Sequence, residues 1–272
     1  MEANSTKLSE LQTILADLGG VLVAFSGGVD STFLLRMALD TLGDKVLAVT
    51  ARTGLIPDSE IACAKATARR MRARHVVVSI DALADPTIAS NAANRCYVCK
   101  RAIFAELGAI ATDRGLHVID GSNCDDLGDY RPGLKALQEA GVRSPLAEAG
   151  LTKSEIRALS RERHIETWDR PASPCLATRF PYGERLTPQR LKRVEQAEAF
   201  LHSLGFKIVR VRAHGSLARI EVSREDVARL AMQMAPTIVA ELKALGYAHV
   251  SLDLEGYRSG SMDEAKENRA TR

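Results

Sequence analysis

The sequence predicts an α/β protein: a parallel sheet with helices on both faces, followed by a smaller α+β domain. Three observations carry that expectation. Short apolar runs alternate with helix-forming segments as far as Asp120; these runs are apolar throughout instead of alternating; and beyond Thr187 a helix is followed by two adjoining strands. Strands covered on both faces read as continuous apolar runs, and alternation with helices is the mark of parallel crossovers.

The elements follow in order. Val21–Phe25 is expected as the first strand, ending in Ser26-Gly27-Gly28, and Thr32–Leu39 as a largely buried helix. Lys45–Thr50 reads as a second strand, Asp58–Arg74 as a helix, and His75–Ile80 as a third strand. Lys100–Arg114 reads as a helix and Leu116–Asp120 as a strand, and Gly121–Gly150 is rich in loops. Thr152-Lys153-Ser154-Glu155 is a capping box that opens a helix running to about His164. Arg170–Gly183, punctuated by Pro and Gly, is expected as an irregular ordered loop or a junction. Thr187 can cap a helix with Pro188 in its first position and Gly205 at its end. Lys207–Ala213 and Leu217–Val222 are expected as strands joined by His214-Gly215-Ser216. A long helix over Arg224–Leu245, interrupted by Pro236, and a last strand over Ala248–Leu254 complete the chain. The expected organisation is a main domain over 1–186, a small α+β domain for substrate or oligomer contacts over 187–257, and a disordered tail over 258–272.

Of the 272 residues, 46% are hydrophobic and 26% charged, which excludes disordered, collagenous and membrane classes. The net charge of +3 neither demands nor excludes a polyanionic partner. Residues 1–10 are polar and mixed in charge, and no apolar run approaches the ~20 residues of a membrane span. A cytoplasmic home is the expectation. Five cysteines, an odd number, argue against a disulfide scaffold and for metal binding, catalysis or burial.

The sharpest motif is Ser26-Gly27-Gly28-Val29-Asp30-Ser31, between a strand and a helix. Two glycines let successive N–H groups converge, the helix end adds its positive dipole, and Ser26 and Ser31 add hydroxyls: a cradle for pyrophosphate. Asp30 suits a cation there or the steering of a leaving group. The plain alternative is a tight turn without a ligand. No Gly-Lys-Ser/Thr follows, so the loop is not a Walker A loop.

The loop resembles the PP-loop of the ATP pyrophosphatases, adenine nucleotide alpha hydrolase-like proteins in which ATP donates AMP to a substrate oxygen and releases pyrophosphate. Arg95-Cys96-Tyr97-Val98-Cys99-Lys100, Asp120–Asp126, Tyr130-Arg131-Pro132-Gly133, Pro174-Cys175-Leu176-Ala177-Thr178-Arg179 and Arg210–Gly215 narrow it further. Together they resemble the LarE family, ATP-dependent sulfur transferases that make the ligand of the nickel-pincer cofactor of lactate racemase. The resemblance reaches from the N-terminus to about Gly256.

It implies Mg2+ and ATP as cofactors, adenylation of the carboxylates of pyridinium-3,5-biscarboxylic acid mononucleotide, and displacement of AMP by sulfur. It also implies a sulfide donor and a homo-oligomer. Cys175, set among Arg170, Arg179 and Arg185, is the implied nucleophile, with Thr178 beside it. In one form of the family the cysteine at this position gives up its sulfur and becomes dehydroalanine. In the other, three cysteines hold a 4Fe-4S cluster whose open iron carries sulfide, and Cys96, Cys99 and Cys175 fit that form. A zinc pair, a redox disulfide or burial are the other readings of Cys96 and Cys99. Cys63 reads as packing, and Cys124 has no assigned role.

Arg210 and Arg212 alternate with Val209 and Val211, so two guanidiniums leave one face of a strand, a pattern suited to a phosphate or to a solvated face. Glu198 and Glu221 are candidate partners. Asn123, Asp126 and Arg131 follow a parallel strand at the edge where ligands bind, although such residues also form turns. Thr50 and Arg52 end the second strand, where the resemblance to PP-loop proteins implies a meeting with adenine, and Lys100, Arg101 and Arg179 are expected near substrate charge. A tRNA thiolase is the alternative enzyme, but 4% aromatic residues and the small charge supply no convincing RNA face. An amidotransferase-like synthetase would leave the cysteines unexplained. A nucleotide sensor or an iron–sulfur scaffold is the non-enzymatic alternative.

Overall fold

The computed structural model describes residues 2–127 and 132–258. The chain divides into two compact units, Met1–Ile88 with Asn94–Ser173, and Ala89–Ala93 with Pro174–Arg272. Residues 174–186 therefore group with the second unit. The Arg131 site and the tail beyond Arg258 lie outside the described residues.

In the first unit, strands β1 (Val21–Ala24), β2 (Val46–Arg52), β3 (His75–Ser79) and β4 (His117–Ile119) form one parallel sheet in the order β3-β2-β1-β4. Helices α1 (Glu2–Leu18), α2 (Val29–Leu42), α3 (Asp58–Arg70), α4 (Arg95–Asp113), α5 (Pro132–Glu139) and α6 (Lys153–Glu162) surround it. Neighbouring residues on a strand point to opposite faces. Val21, Val23, Val46 and Ala48 accordingly join Leu11 and Leu15 of α1, Phe33 and Leu34 of α2 and Ile156 of α6 in one core. Leu22, Leu47 and Val49 pack on the other side with Phe104, Leu107 and Ala111 of α4 and Leu137 of α5. The chain steps outward from β1 to β3 and returns to β4 on the far side of β1. That reversal opens a crevice beyond the carboxyl ends of β1 and β4, where open α/β sheets bind ligands.

The parallel sheet follows the expectation, with three local differences. Residues 2–18 form α1, a helix not among the expected elements; Leu8, Leu11, Leu15 and Leu18 give it an apolar stripe. Helix α4 starts at Arg95, not Lys100, so Cys96 and Cys99 fall within its first two turns. The loop-rich stretch holds α5 and single helical turns at Cys124–Leu127 and Pro145–Glu148.

In the second unit, α7 (Pro188–Ser203) begins at the Thr187 cap, whose hydroxyl accepts from the Arg190 N–H at 3.2 Å. Strands β5 (Val209–His214) and β6 (Leu217–Val222) pair antiparallel, and β7 (His249–Leu252) adds parallel to β6. The helix expected over Arg224–Leu245, with its interruption at Pro236, is found as one helical stretch of irregular winding. A 3₁₀ turn, a short α turn and a π segment at Leu230–Met234 lead into α8 (Ala235–Ala244). Pro236 lies at the start of α8, where its missing N–H removes one bond of regular α winding just after the π segment. Among the described residues no helix is long and apolar enough to cross a membrane.

Candidate functional site

The loop after β1 has the cradle geometry. Gly27 takes φ +75°, and a Cβ there would lie 2.9 Å from the Cα of Ala64 on α3, so glycine is required for both conformation and space. The loop is drawn together by its own serines. Their hydroxyls are 3.0 Å apart, Ser31 Oγ donates to the Gly28 carbonyl at 3.2 Å, and the Gly28 N–H donates to Ser26 Oγ at 3.3 Å. No side chain of the N-cap residue Gly28 closes the start of α2, leaving a helix end suited to an anion. Gly121, just past β4, packs against the loop: a Cβ there would sit 3.0 Å from the Ser31 nitrogen.

Two cavities flank the loop. The larger, about 360 Å³, is walled by Phe25, Ile56 and Ile61 on its apolar side and by Ser26, Gly28, Asp30, Lys153 and Arg170 on its polar side. Thr50 also lines it, but its hydroxyl is spent inside, donating to the Phe25 carbonyl at 2.6 Å and meeting His75 Nε2 at 2.8 Å. Burial, aided by the charge of Lys65, holds His75 below its ordinary pKa. Arg52 is exposed and pairs with Asp58 at 3.6 Å. The second cavity, about 310 Å³, shares Ser26, Gly28 and Asp30 and adds Ser31, Lys100, Asp120, Ser122 and Asp126. Asn123 is buried beside it and turns the chain: its Oδ1 accepts from the Asp125 N–H at 3.0 Å, and its own N–H donates to Asp126 Oδ2 at 3.0 Å.

Several residues here were not singled out from the sequence. Arg170, read as a neighbour of Cys175, ties the larger cavity's wall to the loop: Nη1 donates to the Gly27 carbonyl at 2.9 Å and meets Cys63 Sγ at 2.7 Å, and Nη2 pairs with Glu60 at 2.9 Å. Asp120 accepts from the hydroxyls of Ser122 and Ser144, each at 2.6 Å, fixing the chain past β4. Lys153 pairs with Asp30. The sequence shows it only as part of a cap, although a cation in the first turn of a helix runs against the dipole and is itself a signal.

In the second unit Cys175 is half-buried and leads into a 3₁₀ turn, Leu176–Arg179. Arg179 is 1% exposed. It forms a two-pronged pair with Glu198 at 2.9 and 3.0 Å, and its Nη1 donates to the Pro174 carbonyl and to Thr178 Oγ1, both at 2.9 Å. The valines of β5 enter the core as expected, and Arg210 and Arg212 are buried as well. Arg212 donates to Glu221 at 2.8 Å and to the Thr178 carbonyl at 3.0 Å. Arg210 stacks over Tyr257 at 5.2 Å, and burial, together with the charges of Arg179 and Arg212, lowers its pKa. The structure thus brings Thr178, Arg179 and Arg212 together, and an anion would relieve the crowding of guanidiniums around Arg210.

The residues fit ATP, since glycines form the cradle and apolar side chains line the adjoining cavity. They fit a hard divalent cation at Asp30, whose buried Oδ1 has no hydrogen-bond partner among the described residues. Cys96 is exposed and Cys99 half-buried, one turn apart on α4, a spacing that suits two ligands of a cluster. Among the described residues no group of three or more His, Cys, Asp or Glu side chains is placed to hold a metal ion.

Residues 20–103 match the family described as Queuosine biosynthesis protein QueC. The chain is 41% identical over 266 residues to the pyridinium-3,5-bisthiocarboxylic acid mononucleotide synthase of Lactiplantibacillus plantarum, covering 97% of this chain and 96% of that one. It is also 41% identical over 260 residues to an uncharacterised protein of Synechocystis sp., covering 95% of this chain and 97% of that one. An uncharacterised protein of Methanocaldococcus jannaschii is 31% identical over 240 residues, covering 88% and 91%.

Proposed function

The chain belongs to the LarE family of PP-loop proteins, that of the pyridinium-3,5-bisthiocarboxylic acid mononucleotide synthase, and from that premise we propose an ATP-dependent sulfur transferase. Its acceptor is pyridinium-3,5-biscarboxylic acid mononucleotide, whose carboxylates become thiocarboxylates. The observation that carries the reading is the glycine cradle with a cavity on either side, one suited to a nucleotide and one bearing Lys100.

Ser26, Gly27, Gly28 and Ser31 hold the pyrophosphate of ATP, with the carboxyl end of β2 at Thr50 and Arg52 toward the base, and Asp30 would hold the accompanying Mg2+. Lys100, Asn123, Asp126 and Arg131 orient the acceptor against the nucleotide. A carboxylate oxygen attacks the α-phosphorus, an O–P bond forms, and the bond to the β-phosphate breaks with release of pyrophosphate. Carboxylate oxygen is otherwise a poor leaving group; as an acyl adenylate it leaves as AMP when sulfur attacks the carbon. Arg210 and Arg212, with Arg179 and Thr178 behind them, receive the phosphate of the mononucleotide.

The sulfur comes by one of two routes. A 4Fe-4S cluster on Cys96, Cys99 and Cys175 would leave one iron open to carry sulfide from a donor. Otherwise the Cys175 thiolate attacks the acyl carbon, and loss of its Cα proton with cleavage of its Cβ–S bond yields dehydroalanine and the thiocarboxylate. The protein is read as a cytoplasmic homo-oligomer.

The test is anaerobic incubation with Mg-ATP, sulfide and the biscarboxylate mononucleotide, reading intact masses of nucleotide and protein. A nucleotide that gains sulfur supports the reading. Cys175 intact through several turnovers selects the cluster route, and loss of its sulfur selects the sacrificial one. An unchanged mononucleotide with ATP-binding protein overturns the acceptor, and thiolation of tRNA in its place would establish the alternative enzyme. Binding of ATP with no pyrophosphate released toward either acceptor would leave a sensor or scaffold.

A further inference from the structure

We propose that the Asp30–Lys153 pair is a counter-ion exchange device: Lys153 neutralises Asp30 until nucleotide and metal arrive, then turns its ammonium onto the polyphosphate and leaves Asp30 to the divalent cation. The inference rests on the nucleotide reading of the loop given above.

The root of Lys153 is fixed by the backbone, and its tip is held by Asp30 alone among the bonds described for it. Its backbone N–H donates to Asp125 Oδ2 at 2.8 Å. The cap before it is closed from both sides, with Glu155 donating its N–H to Thr152 Oγ1 and accepting from the Thr152 N–H at 2.9 Å. Glu155 is in turn held by Lys7 at 2.8 Å. From that anchored start a flexible four-carbon stem carries the ammonium to Asp30. The first turn of α6 is an unfavourable place for a cation, so the carboxylate of Asp30 offsets a local cost.

Asp30 has the complementary position. It lies in the first turn of α2, and both it and Lys153 line the larger cavity with Ser26 and Gly28. An unneutralised carboxylate beside the cradle would repel a polyphosphate, and an ammonium fixed permanently on it would exclude a metal. Among the described residues Asp30 Oδ1 is buried without a hydrogen-bond partner while Oδ2 takes the ammonium. One oxygen of this cavity-lining carboxylate is therefore uncommitted among the described residues, a hard donor for a cation. An exchange uses both groups: the metal on the carboxylate, the ammonium on a phosphate oxygen.

The experiment compares wild-type protein with Lys153→Met, which keeps most of the stem and removes the charge. Two titrations are read: Mn2+ alone, from the spin resonance of free Mn2+, and Mg-ATP by calorimetry. Exchange predicts opposite signs, with Mn2+ binding tightened and Mg-ATP binding weakened, each by about tenfold, the scale of one charge-assisted hydrogen bond. Lys153→Arg should restore both. A permanent structural tie predicts that both affinities fall or neither moves, and either result overturns the proposal. Asp30→Asn supplies an independent check, because release of Lys153 should tighten binding of metal-free ATP, and unchanged or weaker binding would also overturn it. Failure of the wild type to bind Mg-ATP removes the nucleotide reading and the exchange together, whereas normal wild-type binding with an unaltered variant removes the exchange alone.

Discussion

Replacing Glu198 with Ala tests whether the turn beside Cys175 is held by the buried Arg179 pair. Arg179 is 1% exposed and Glu198 7%, so water gives little compensation when the carboxylate is removed. Two charge-assisted hydrogen bonds, at 2.9 and 3.0 Å, disappear. The Val211 N–H on β5, which donates to the same carboxylate at 2.9 Å, loses its acceptor. Removing one half of a buried pair costs roughly 3–5 kcal/mol, more than the pair contributes against an apolar replacement, because the remaining charge is stranded. Glu198→Ala is therefore expected to lose about 4 kcal/mol in urea unfolding, and Glu198→Gln, which keeps the volume and one acceptor, distinctly less. A second readout follows from geometry. Arg179 Nη1 also grips the carbonyls of Pro174 and Cys175, at 2.9 and 3.3 Å, so loosening it should raise the rate at which Cys175 is alkylated in folded protein. A loss under about 1 kcal/mol, the value of an exposed ion pair, with no change in alkylation would refute the reasoning.

Four further outcomes are expected. Gly27→Ala should cost about 1–2 kcal/mol from its positive φ alone, with further loss from the contact at Ala64, and should weaken ATP binding measured by calorimetry. Tyr247→Phe should be neutral or stabilising in urea unfolding near neutral pH, because the buried hydroxyl has no partner among the described residues. Burial pushes the pKa of Tyr247 up to about 12, so the unfolded chain releases its proton first and stability falls between the ordinary value of 10.0 and 12; the Phe variant should lack that part of the alkaline loss. His75, held below 6.5, contributes stability above that pH which is lost as the pH falls, and His75→Asn should show a smaller change in urea midpoint across pH 6.5. Cys175→Ser should still release pyrophosphate but form no thiocarboxylate by mass, whereas Cys96→Ala should block transfer only on the cluster route.

What was legible in the sequence was what is local. The apolar run, two glycines and a following helix define the cradle within eleven residues, Val21–Ser31, and the capping box at Thr152 is likewise complete in four. What was hidden depends on pairs distant along the chain. Lys153 meets Asp30 across 123 positions, and no periodicity announces that contact; the only local trace is a cation placed against a helix dipole. Arg210 and Arg212 show the same division. Period-two alternation correctly sends the valines into the core, but it says nothing about what covers the opposite face. There the register sets Arg210 across from Glu221, and Arg212 reaches the Thr178 carbonyl. Two arginines read from sequence alone suit a phosphate in open solvent, and the same two inside the fold are partly committed to carboxylate and carbonyl. A phosphate bound there must therefore compete with Glu221 for Arg212, so substrate affinity should respond to Glu221 as well as to the arginines. Glu221→Gln, which weakens that competition while keeping the side-chain volume, should tighten binding of the mononucleotide if the cluster is its phosphate site; unchanged affinity in calorimetry would move the phosphate elsewhere.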